Sequence, residues 1–460
     1  MPKDPIVAQL HQWIDDHRDE MIKTLQEAVR IPSVQSEPQN NAPFGLELKH
    51  MLDFTLDLGE KWGFRVKNVD GYAGHAEFGE GEEMVMSLGH LDVVPVGVGW
   101  KHEPFGGEIE GDYIYARGVG DDKGPTYAAF FAARALKELG VPLKRRIRVV
   151  FGCNEESGFG CVHHYFKKEP APTYGFAPDA GWPLVYAEKG ISNLTIEKEV
   201  NFTHTLRIIT AKGGERPNMV PDSASATLTG NSLQAAISIL DDYWDKNVSY
   251  KLINGELVIY TAGKSCHGSH PWGGDNAVTR LLRVLTELPF EDKKWINFLL
   301  EASDPAGMYL GYNGQDKVSG TLSNNLGVFE LDKDKVTATF NIRYPVTWKG
   351  KKVQRMCAKA LDNAGFTVAN FTDSKPLHAP LDREPVKTLL EVYREETGDM
   401  KEPGTMGGGT YARAVPNTVS VGAGFEGDGP PHESDERYAI TSYLKCAKIY
   451  AHMLYALATK

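Results

Sequence analysis

The sequence lacks the patterns by which cysteines stabilise small extracellular domains or hold thiolate-bound metals. Only five cysteines occur in 460 residues, and none belongs to a CxxC pair. Their odd number and scattered positions indicate neither a disulfide framework nor a thiolate zinc site. They fit a protein kept in a reducing compartment. The five are Cys153, Cys161, Cys266, Cys357 and Cys446.

Long apolar runs and an excess of basic residues are also missing. No apolar stretch approaches the roughly 20 residues that span a bilayer, and the acidic, amphipathic N-terminus does not resemble a signal peptide. The net charge of −11 argues against nucleic acid or an anionic membrane as the main partner, because both bind basic surfaces. These absences predict a cytoplasmic protein with neither partner.

The pattern that is present alternates apolar strands with helices. Apolar residues at helical spacing predict a first helix over about residues 6–30. Residues 83–88 and 146–152 are apolar runs on either side of a helical pattern at residues 124–140. A strand, a helix and a strand in this order predict a parallel α/β sheet. Residues 174–179 and 418–425 predict further strands.

A second type of organisation occupies the middle of the chain. Residues 191–345 carry shorter predicted strands with interleaved helices, and the helical period of the first region returns after about residue 380. A chain this long favours more than one core. We therefore predict an α/β fold in which residues 1–190 and 379–460 form one discontinuous domain with a mixed, largely parallel sheet. Residues 191–378 form an inserted α+β domain.

Polar side chains follow four of the predicted strands at the points where the strands end. In open α/β sheets, functional groups collect beyond the carboxyl ends of strands. These side chains are therefore expected to converge at one edge of the sheet, together with Asp121 from the loop before the helix at 124–140. The strand-end residues are His90, Asp92, Glu155, Glu156, Asp179 and His432.

Two pairs within this set favour a metal site. His90 and Asp92 point to the same side of an extended segment, and a metal-binding histidine commonly bonds a carboxylate through its other nitrogen. Adjacent carboxylates such as Glu155 and Glu156 repel each other unless a cation lies nearby. Taken alone, the first pair is more often a hydrogen-bonded loop and the second is more often solvated charge. Their positions after buried strands favour the metal site.

A family resemblance rests on seven features that occur in order over nearly the whole chain. They resemble the M20 metallopeptidases and, within these, the bacterial dipeptidase group of PepV type. The inserted domain resembles the enlarged lid of that group. The features are GHLDVVP (89–95), RGVGDDKGP (117–125), NEESG (154–158), PDAGWP (178–183), CHGSHP (266–271), GGGTYAR (407–413) and the late His432.

The resemblance implies two divalent metal ions in the discontinuous domain, which would then be the catalytic domain. It assigns His90 and Asp179 to one ion, Glu156 and His432 to the other, and Asp121 to a bridge between them. The peptide bond after the bridging Asp is often cis in this family. Nitrogen and oxygen ligands without thiolate make zinc our first choice, and manganese or cobalt tolerates the same ligands.

The resemblance also assigns the groups that move protons and stabilise charge. Asp92 orients His90, and Glu155 is the general base. His267 in the inserted domain donates to the oxyanion, although the nearby His270 leaves the choice open from sequence alone.

Four further residues are expected to contact the substrate. Arg343 matches an arginine that binds the terminal carboxylate, which suits its forked guanidinium. Asn218 lines the site, Gly408 lets the backbone approach the substrate closely, and Arg413 adds positive charge. Each arginine could instead form a surface salt bridge.

The activity implied by the resemblance is hydrolysis of the peptide bond of dipeptides or short unmodified peptides, by a metal-activated water with a glutamate base. One alternative is an N-acyl amino acid amidohydrolase, such as a deacylase or desuccinylase. Another is a non-catalytic peptide-binding homologue, and a thiol enzyme is a third. Both a monomer and a dimer stay open, since a doubled lid could supply the histidine that smaller relatives take from a dimer partner.

Overall fold

The computed structural model of the protein describes residues 4–312 and 314–460. The chain divides into two compact units. The first contains the described residues up to Tyr186 together with His378–Gly404 and Gly409–Lys460. The second contains the described residues of Ala187–Leu377 together with Thr405–Gly408.

The part of the chain up to Glu188 is rich in both helices and strands. Its helices are α1 (Pro5–Asp16), α2 (Arg18–Val29), α3 (Leu46–Lys61), α4 (Gly124–Glu138) and α5 (Gly160–Tyr165). Its strands are β1 (Arg65–Val69), β2 (Ala73–Phe78), β3 (Met84–His90), β4 (Glu108–Glu110), β5 (Tyr113–Tyr115), β6 (Arg146–Gly152), β7 (Tyr174–Ala180) and β8 (Leu184–Glu188).

The middle of the chain is dominated by strands. These are β9 (Gly190–Glu199), β10 (Arg207–Gly213), β11 (Ser223–Thr229), β12 (Val248–Ile253), β13 (Glu256–Ala262), β14 (Gln315–Asp316), β15 (Gly320–Thr321), β16 (Ser323–Asp332), β17 (Lys335–Tyr344) and β18 (Thr367–Ser374). The helices are α6 (Leu233–Asp241), α7 (Ala277–Glu287), α8 (Lys294–Ala302) and α9 (Gly350–Ala364).

The last part of the chain lies mostly in the first unit. Its strands are β19 (Leu377–His378), β20 (Gly404–Met406), β21 (Thr418–Gly422) and β22 (Arg437–Ala439), and its helices are α10 (Val386–Thr397) and α11 (Ile440–Thr459). Among the residues that the structure describes, no helix combines the length and apolar character needed to cross a membrane.

The main sheet of the first unit has the strand order β1-β2-β6-β3-β7-β21-β8. The four central strands, β6, β3, β7 and β21, run parallel, and β1, β2 and β8 pair antiparallel at the margins. Every residue of β3 is buried, as expected for a strand covered on both faces. The predicted mixed α/β class is confirmed, and the parallel part lies at its centre.

The second unit is built on an antiparallel sheet of order β12-β13-β11-β10-β16-β17-β9-β18. Burial alternates along β9, because one face of an antiparallel sheet packs on the core and the other does not. Helix α7 buries one apolar face in the same core. The strands and helices of this unit match the α+β pattern predicted from the sequence.

Some local predictions need correction. The helix expected over residues 6–30 is two helices, because the chain breaks at His17, whose ring stacks on Trp13 and bonds the Trp13 carbonyl oxygen. Helices α3 and α8 and strands β16 and β18 were not predicted. Strand β18 is mostly exposed, so it lacks the apolar alternation on which strand prediction depends.

Candidate metal centre

The strand-end residues of the first unit converge as the sequence predicted. His90 is the last residue of β3, Asp179 lies near the end of β7, and Glu155 and Glu156 follow β6. His432 lies on the loop between β21 and β22. Because β6, β3, β7 and β21 are parallel neighbours, their carboxyl ends share one edge of the sheet.

Asp121 lies between the two histidines of this cluster. Its Oδ1 is 3.0 Å from His90 Nε2, and its Oδ2 is 3.0 Å from His432 Nε2. Glu156 Oε1 is 3.1 Å from the same His432 nitrogen. The two oxygens of one carboxylate therefore face ring nitrogens from two different segments. The Asp121–Asp122 peptide bond is cis, as the family resemblance implied.

The other carboxylates complete two groups of ligand atoms around His90. The ligand atoms of His90, Asp121 and Glu156 lie within 4.8 Å of one another, and those of His90, Glu155 and Asp179 do so as well. Both groups combine imidazole nitrogen with carboxylate oxygen. Zinc, manganese and cobalt all accept this ligand set.

The electrostatics of the cluster also fit cations. Burial and then repulsion from neighbouring carboxylates raise the pKa of Glu155 and of Asp179 well above the usual range. Hydrogen bonds to Asp121 and Glu156 raise the pKa of His432 to about 10. Ionisation of the Glu155 and Asp179 carboxyl groups is therefore disfavoured, and a bound divalent cation would offset the repulsion between their charged forms. The residues present fit the metal ions that the family resemblance implies.

Asp92 differs in detail from the predicted arrangement. His90 Nδ1 lies 2.8 Å from the Asp92 backbone carbonyl oxygen and 3.6 Å from the Asp92 carboxylate. Because a carbonyl only accepts, Nδ1 carries a proton, and in a neutral ring Nε2 would then be the nitrogen available to a metal. The carboxylate instead accepts the backbone N–H groups of Glu155 and Glu156, each at 3.0 Å. It therefore fixes the turn that carries both glutamates.

Glu436 is a structural partner of the site that the sequence did not reveal. Its carboxylate is 1% exposed and accepts hydrogen bonds from the Arg117 guanidinium at 2.7 Å and from the backbone N–H of Asp121 at 3.2 Å. It also accepts the N–H groups of Gly118 and Gly120. The loop that presents Asp121 is therefore held by a residue more than three hundred positions away.

We predict that Glu436→Gln lowers the free energy of unfolding by about 3–5 kcal/mol, because it leaves the buried Arg117 charge without its carboxylate. Urea unfolding followed by circular dichroism measures this change. Glu433→Gln is the matched control, since Glu433 is exposed and surface substitutions change stability by about 0.5 kcal/mol or less. Equal stability losses in the two variants would contradict the proposed role of Glu436.

Tyr411 is a second unpredicted neighbour of the centre. Its hydroxyl oxygen accepts the backbone N–H of Asn154 at 3.2 Å, and its ring meets the His90 ring edge-on at 6.2 Å between centroids. A Cβ at Gly152 would lie 2.4 Å from the Tyr411 hydroxyl, so glycine is required there. Tyr411 belongs to the GGGTYAR motif of the family resemblance, and this membership is the sequence signal that could have pointed to it.

The remaining candidates are distributed between the units. Arg413 belongs to the first unit, where its guanidinium lies against the Gly409 backbone. Asn218, His267, Arg343 and Gly408 belong to the second unit.

Arg343 is held inside the second unit. It is 4% exposed, its Nε donates to Asn341 Oδ1 at 2.7 Å, and its Nη1 donates to the Gly407 carbonyl at 3.0 Å. Arg343 is therefore not a surface residue. Its guanidinium lies beside the backbone that continues to Gly408.

The ring of His267 is oriented by Ser269. The Ser269 backbone N–H donates to His267 Nδ1 at 3.3 Å, and the Ser269 hydroxyl lies 2.6 Å from the same nitrogen. Because Nδ1 accepts a hydrogen bond, a neutral His267 ring carries its proton on Nε2. Nε2 is therefore the hydrogen-bond donor of the neutral His267 ring, and the residue is exposed.

The family match, together with the mixed α/β unit and its cluster of histidines and carboxylates, makes the protein a metallopeptidase. Residues 86–456 match the family described as Peptidase family M20/M25/M40. The chain belongs to this family, which confirms the resemblance found in the sequence.

A relative agrees with this assignment, and solved structures share the fold. The chain is 38% identical over 455 residues to the protein named "Putative dipeptidase YtjP" of Bacillus subtilis (strain 168), covering 96% of this chain and 98% of that protein. Human carnosine dipeptidase 1 shares the fold with a TM-score of 0.61 at 17% identity over 100% of both chains. The M20 family metallo-carboxypeptidase Sso-CP2 from Sulfolobus solfataricus shares it with a TM-score of 0.59 at 20% identity, over 95% of this chain and 99% of that one.

Proposed function

We propose that the protein hydrolyses the peptide bond of dipeptides and other short unmodified peptides with two divalent metal ions bound. The observation that carries this proposal is the placement of the two Asp121 oxygens, each 3.0 Å from the Nε2 atom of a different histidine. The dipeptidase names of the Bacillus relative and of the human structure support the substrate class.

The proposed ligand assignment is the one that the family resemblance implies, and all of its residues lie in the first unit. His90 and Asp179 would hold one ion, Glu156 and His432 would hold the other, and Asp121 would contribute to both. Zinc is our first choice, with manganese or cobalt as metals that accept the same ligands. Bound ions would supply Lewis-acid chemistry toward the substrate carbonyl and the attacking water.

Glu155 is the proposed general base. It takes a proton from the attacking water and returns that proton to the leaving amine, so the peptide C–N bond breaks without releasing a free amide anion. The Asp92 carboxylate supports this step indirectly, because it holds the backbone N–H groups of Glu155 and Glu156.

Residues of the second unit are proposed to bind the substrate. The Nε2–H of His267 donates to the oxyanion that develops on the carbonyl oxygen, and Arg343 pairs with the terminal carboxylate. Asn218 and Gly408 line the substrate, and Arg413 of the first unit adds positive charge. The cytoplasmic location and the choice between monomer and dimer stay predictions from the sequence.

A substrate panel with controlled metal content tests the proposed function. The purified enzyme is treated with a chelator, dialysed and reloaded with zinc, manganese or cobalt. Hydrolysis of Xaa-Xaa dipeptides is then compared with hydrolysis of N-acyl amino acids. We expect chelation to abolish dipeptide cleavage and metal to restore it. Preference for N-acyl amino acids would favour the amidohydrolase alternative, and metal binding without any turnover would favour a non-catalytic peptide-binding protein.

We predict that His267→Ala lowers kcat on dipeptides by about 10²–10³-fold, the usual cost of one lost oxyanion donor. Metal content should stay unchanged, because His267 is not among the proposed ligands. Steady-state kinetics and elemental analysis of the same preparation measure both quantities. His270→Ala is the matched control three residues along the chain. A larger loss in His270→Ala than in His267→Ala would transfer the donor role to His270.

A further inference from the structure

The segment Arg216–Val220 of the second unit carries Asn218 and supports His267. The Gly268 N–H donates to the Asn218 carbonyl at 2.7 Å, and the Val220 N–H donates to the Cys266 carbonyl at 2.9 Å. Met219 and His267 form an isolated antiparallel bridge between these hydrogen bonds. The backbone position of His267 is therefore tied to the backbone of Arg216–Val220.

One buried amide holds that segment from its other side. Asn325 on β16 is 1% exposed, and its Nδ2 donates to the Pro217 carbonyl at 2.9 Å and to the Met219 carbonyl at 2.8 Å. These two carbonyls flank Asn218. Both N–H bonds of one amide thus hold the backbone on either side of Asn218, which is proposed to bind the substrate.

The contact between β16 and this segment is also close along the backbone. A Cβ at Gly327 would lie 2.2 Å from the Pro217 carbonyl oxygen, so no side chain could separate the two. Asn325 and Gly327 contact one side of the segment, and Cys266–Gly268 pair with it on the other. A change at Asn325 therefore reaches His267 through a single layer of backbone.

We propose that Asn325 is a positioning residue that places His267 for peptide hydrolysis by holding Arg216–Val220. The inference rests on the proposed function, in which His267 donates to the oxyanion. An interaction made only in the transition state depends on placement, since a misplacement of about 1 Å can cost about 10²-fold in rate. Asn325 itself does not touch the substrate in this proposal.

The neighbouring Asn324 provides a matched control. It is fully buried on the same strand, and its Nδ2 donates to the carbonyls of Ala302 and Asp304, both at 2.9 Å. The two asparagines thus make the same pair of bonds to different segments. Only the Asn325 bonds reach the segment that supports His267.

The experiment compares Asn325→Asp with Asn324→Asp, both of which replace the amide donor by an oxygen facing two carbonyls. We expect similar falls in melting temperature for the two variants. We expect kcat on dipeptides to fall by about 10–10²-fold in Asn325→Asp with KM little changed, and kcat to stay close to wild type in Asn324→Asp. Asn325→Ser and Asn324→Ser provide a milder pair if the charged variants fail to fold.

A double variant tests whether the effect passes through His267. In a His267→Ala background, Asn325→Asp should cost little additional kcat, because the donor that it positions is already absent. Equal kcat values in the Asn325 and Asn324 variants would overturn the proposal. So would a double variant in which the kcat loss of Asn325→Asp is as large as it is with His267 present.

Hydrogen exchange gives a readout that does not depend on activity. The Gly268 amide should exchange faster in Asn325→Asp than in Asn324→Asp, since its acceptor carbonyl lies in the held segment. If the wild type cleaves no dipeptide, the proposed function fails, and this exchange measurement still decides whether Asn325 holds the His267 segment. Unchanged exchange at Gly268 would show that it does not.

Discussion

Glu155→Gln is expected to lower kcat on dipeptides by at least about 10²–10⁴-fold, the contribution typical of a positioned general base. The amide keeps the size of the side chain but cannot take a proton from water. The Asp92 carboxylate bonds the backbone N–H of residue 155, so this substitution leaves the turn in place. Steady-state kinetics with elemental analysis should show two metal ions per chain and very little turnover.

The adjacent Glu156→Gln is the matched control. Both glutamates follow β6, and the Asp92 carboxylate accepts a backbone N–H from each at 3.0 Å. Glu156 Oε1 is the oxygen that lies 3.1 Å from His432 Nε2, so its loss should weaken metal binding rather than remove a base. The opposite result would exchange the roles that we propose for the two residues. In that case Glu156→Gln would keep its metal but lose turnover, and Glu155→Gln would lose its metal.

Asp121→Asn is expected to abolish dipeptide cleavage, with a loss of at least about 10³-fold in kcat/KM. The substitution replaces one of the two oxygens that face His90 and His432 by an amide nitrogen, which carries no negative charge and does not accept. Loss of the ions removes several kcal/mol of transition-state stabilisation, and about 4 kcal/mol corresponds to 10³ in rate. Elemental analysis and calorimetric titration with zinc measure the accompanying loss of binding.

Asp179→Asn serves as the control for a ligand of one ion only. We expect it to weaken one of the two binding events, whereas Asp121→Asn should weaken both. If Asp121→Asn still bound two ions with wild-type affinity, the bridging role would be wrong. If Asp179→Asn weakened both events equally, the two proposed sites would not be separable.

The main sheet could be predicted because its central strands carry their own signal. Strands β3 and β6 are continuous apolar runs separated by helix α4, and these features occur within one stretch of about 70 residues. Strand β18 could not be predicted in this way, since it is mostly exposed. Its pairing with β9 depends on the backbone of a strand about 170 residues earlier.

The cluster of histidines and carboxylates was predictable for a related reason. His90, Glu155, Glu156 and Asp179 lie in or directly after parallel strands, so a prediction of the strands also places these side chains at one edge. Glu436 carries no such signal. It contacts Arg117, which is 319 positions away in the chain, and nothing in the residues around it distinguishes this glutamate from its exposed neighbour Glu433.

The sequence alone was enough to determine the α/β class and the family, since both depend on local periodicity and ordered motifs, and it predicted which residues lie around Asp121. The tertiary structure decided which atoms meet. Strand alternation places Asp92 on the same side as His90, but the Asp92 carboxylate is used by the N–H groups of Glu155 and Glu156, and His90 bonds the Asp92 carbonyl instead. A hydrogen-bond partner depends on which groups compete for the same atom, and here the competing groups come from a strand end more than 60 residues away.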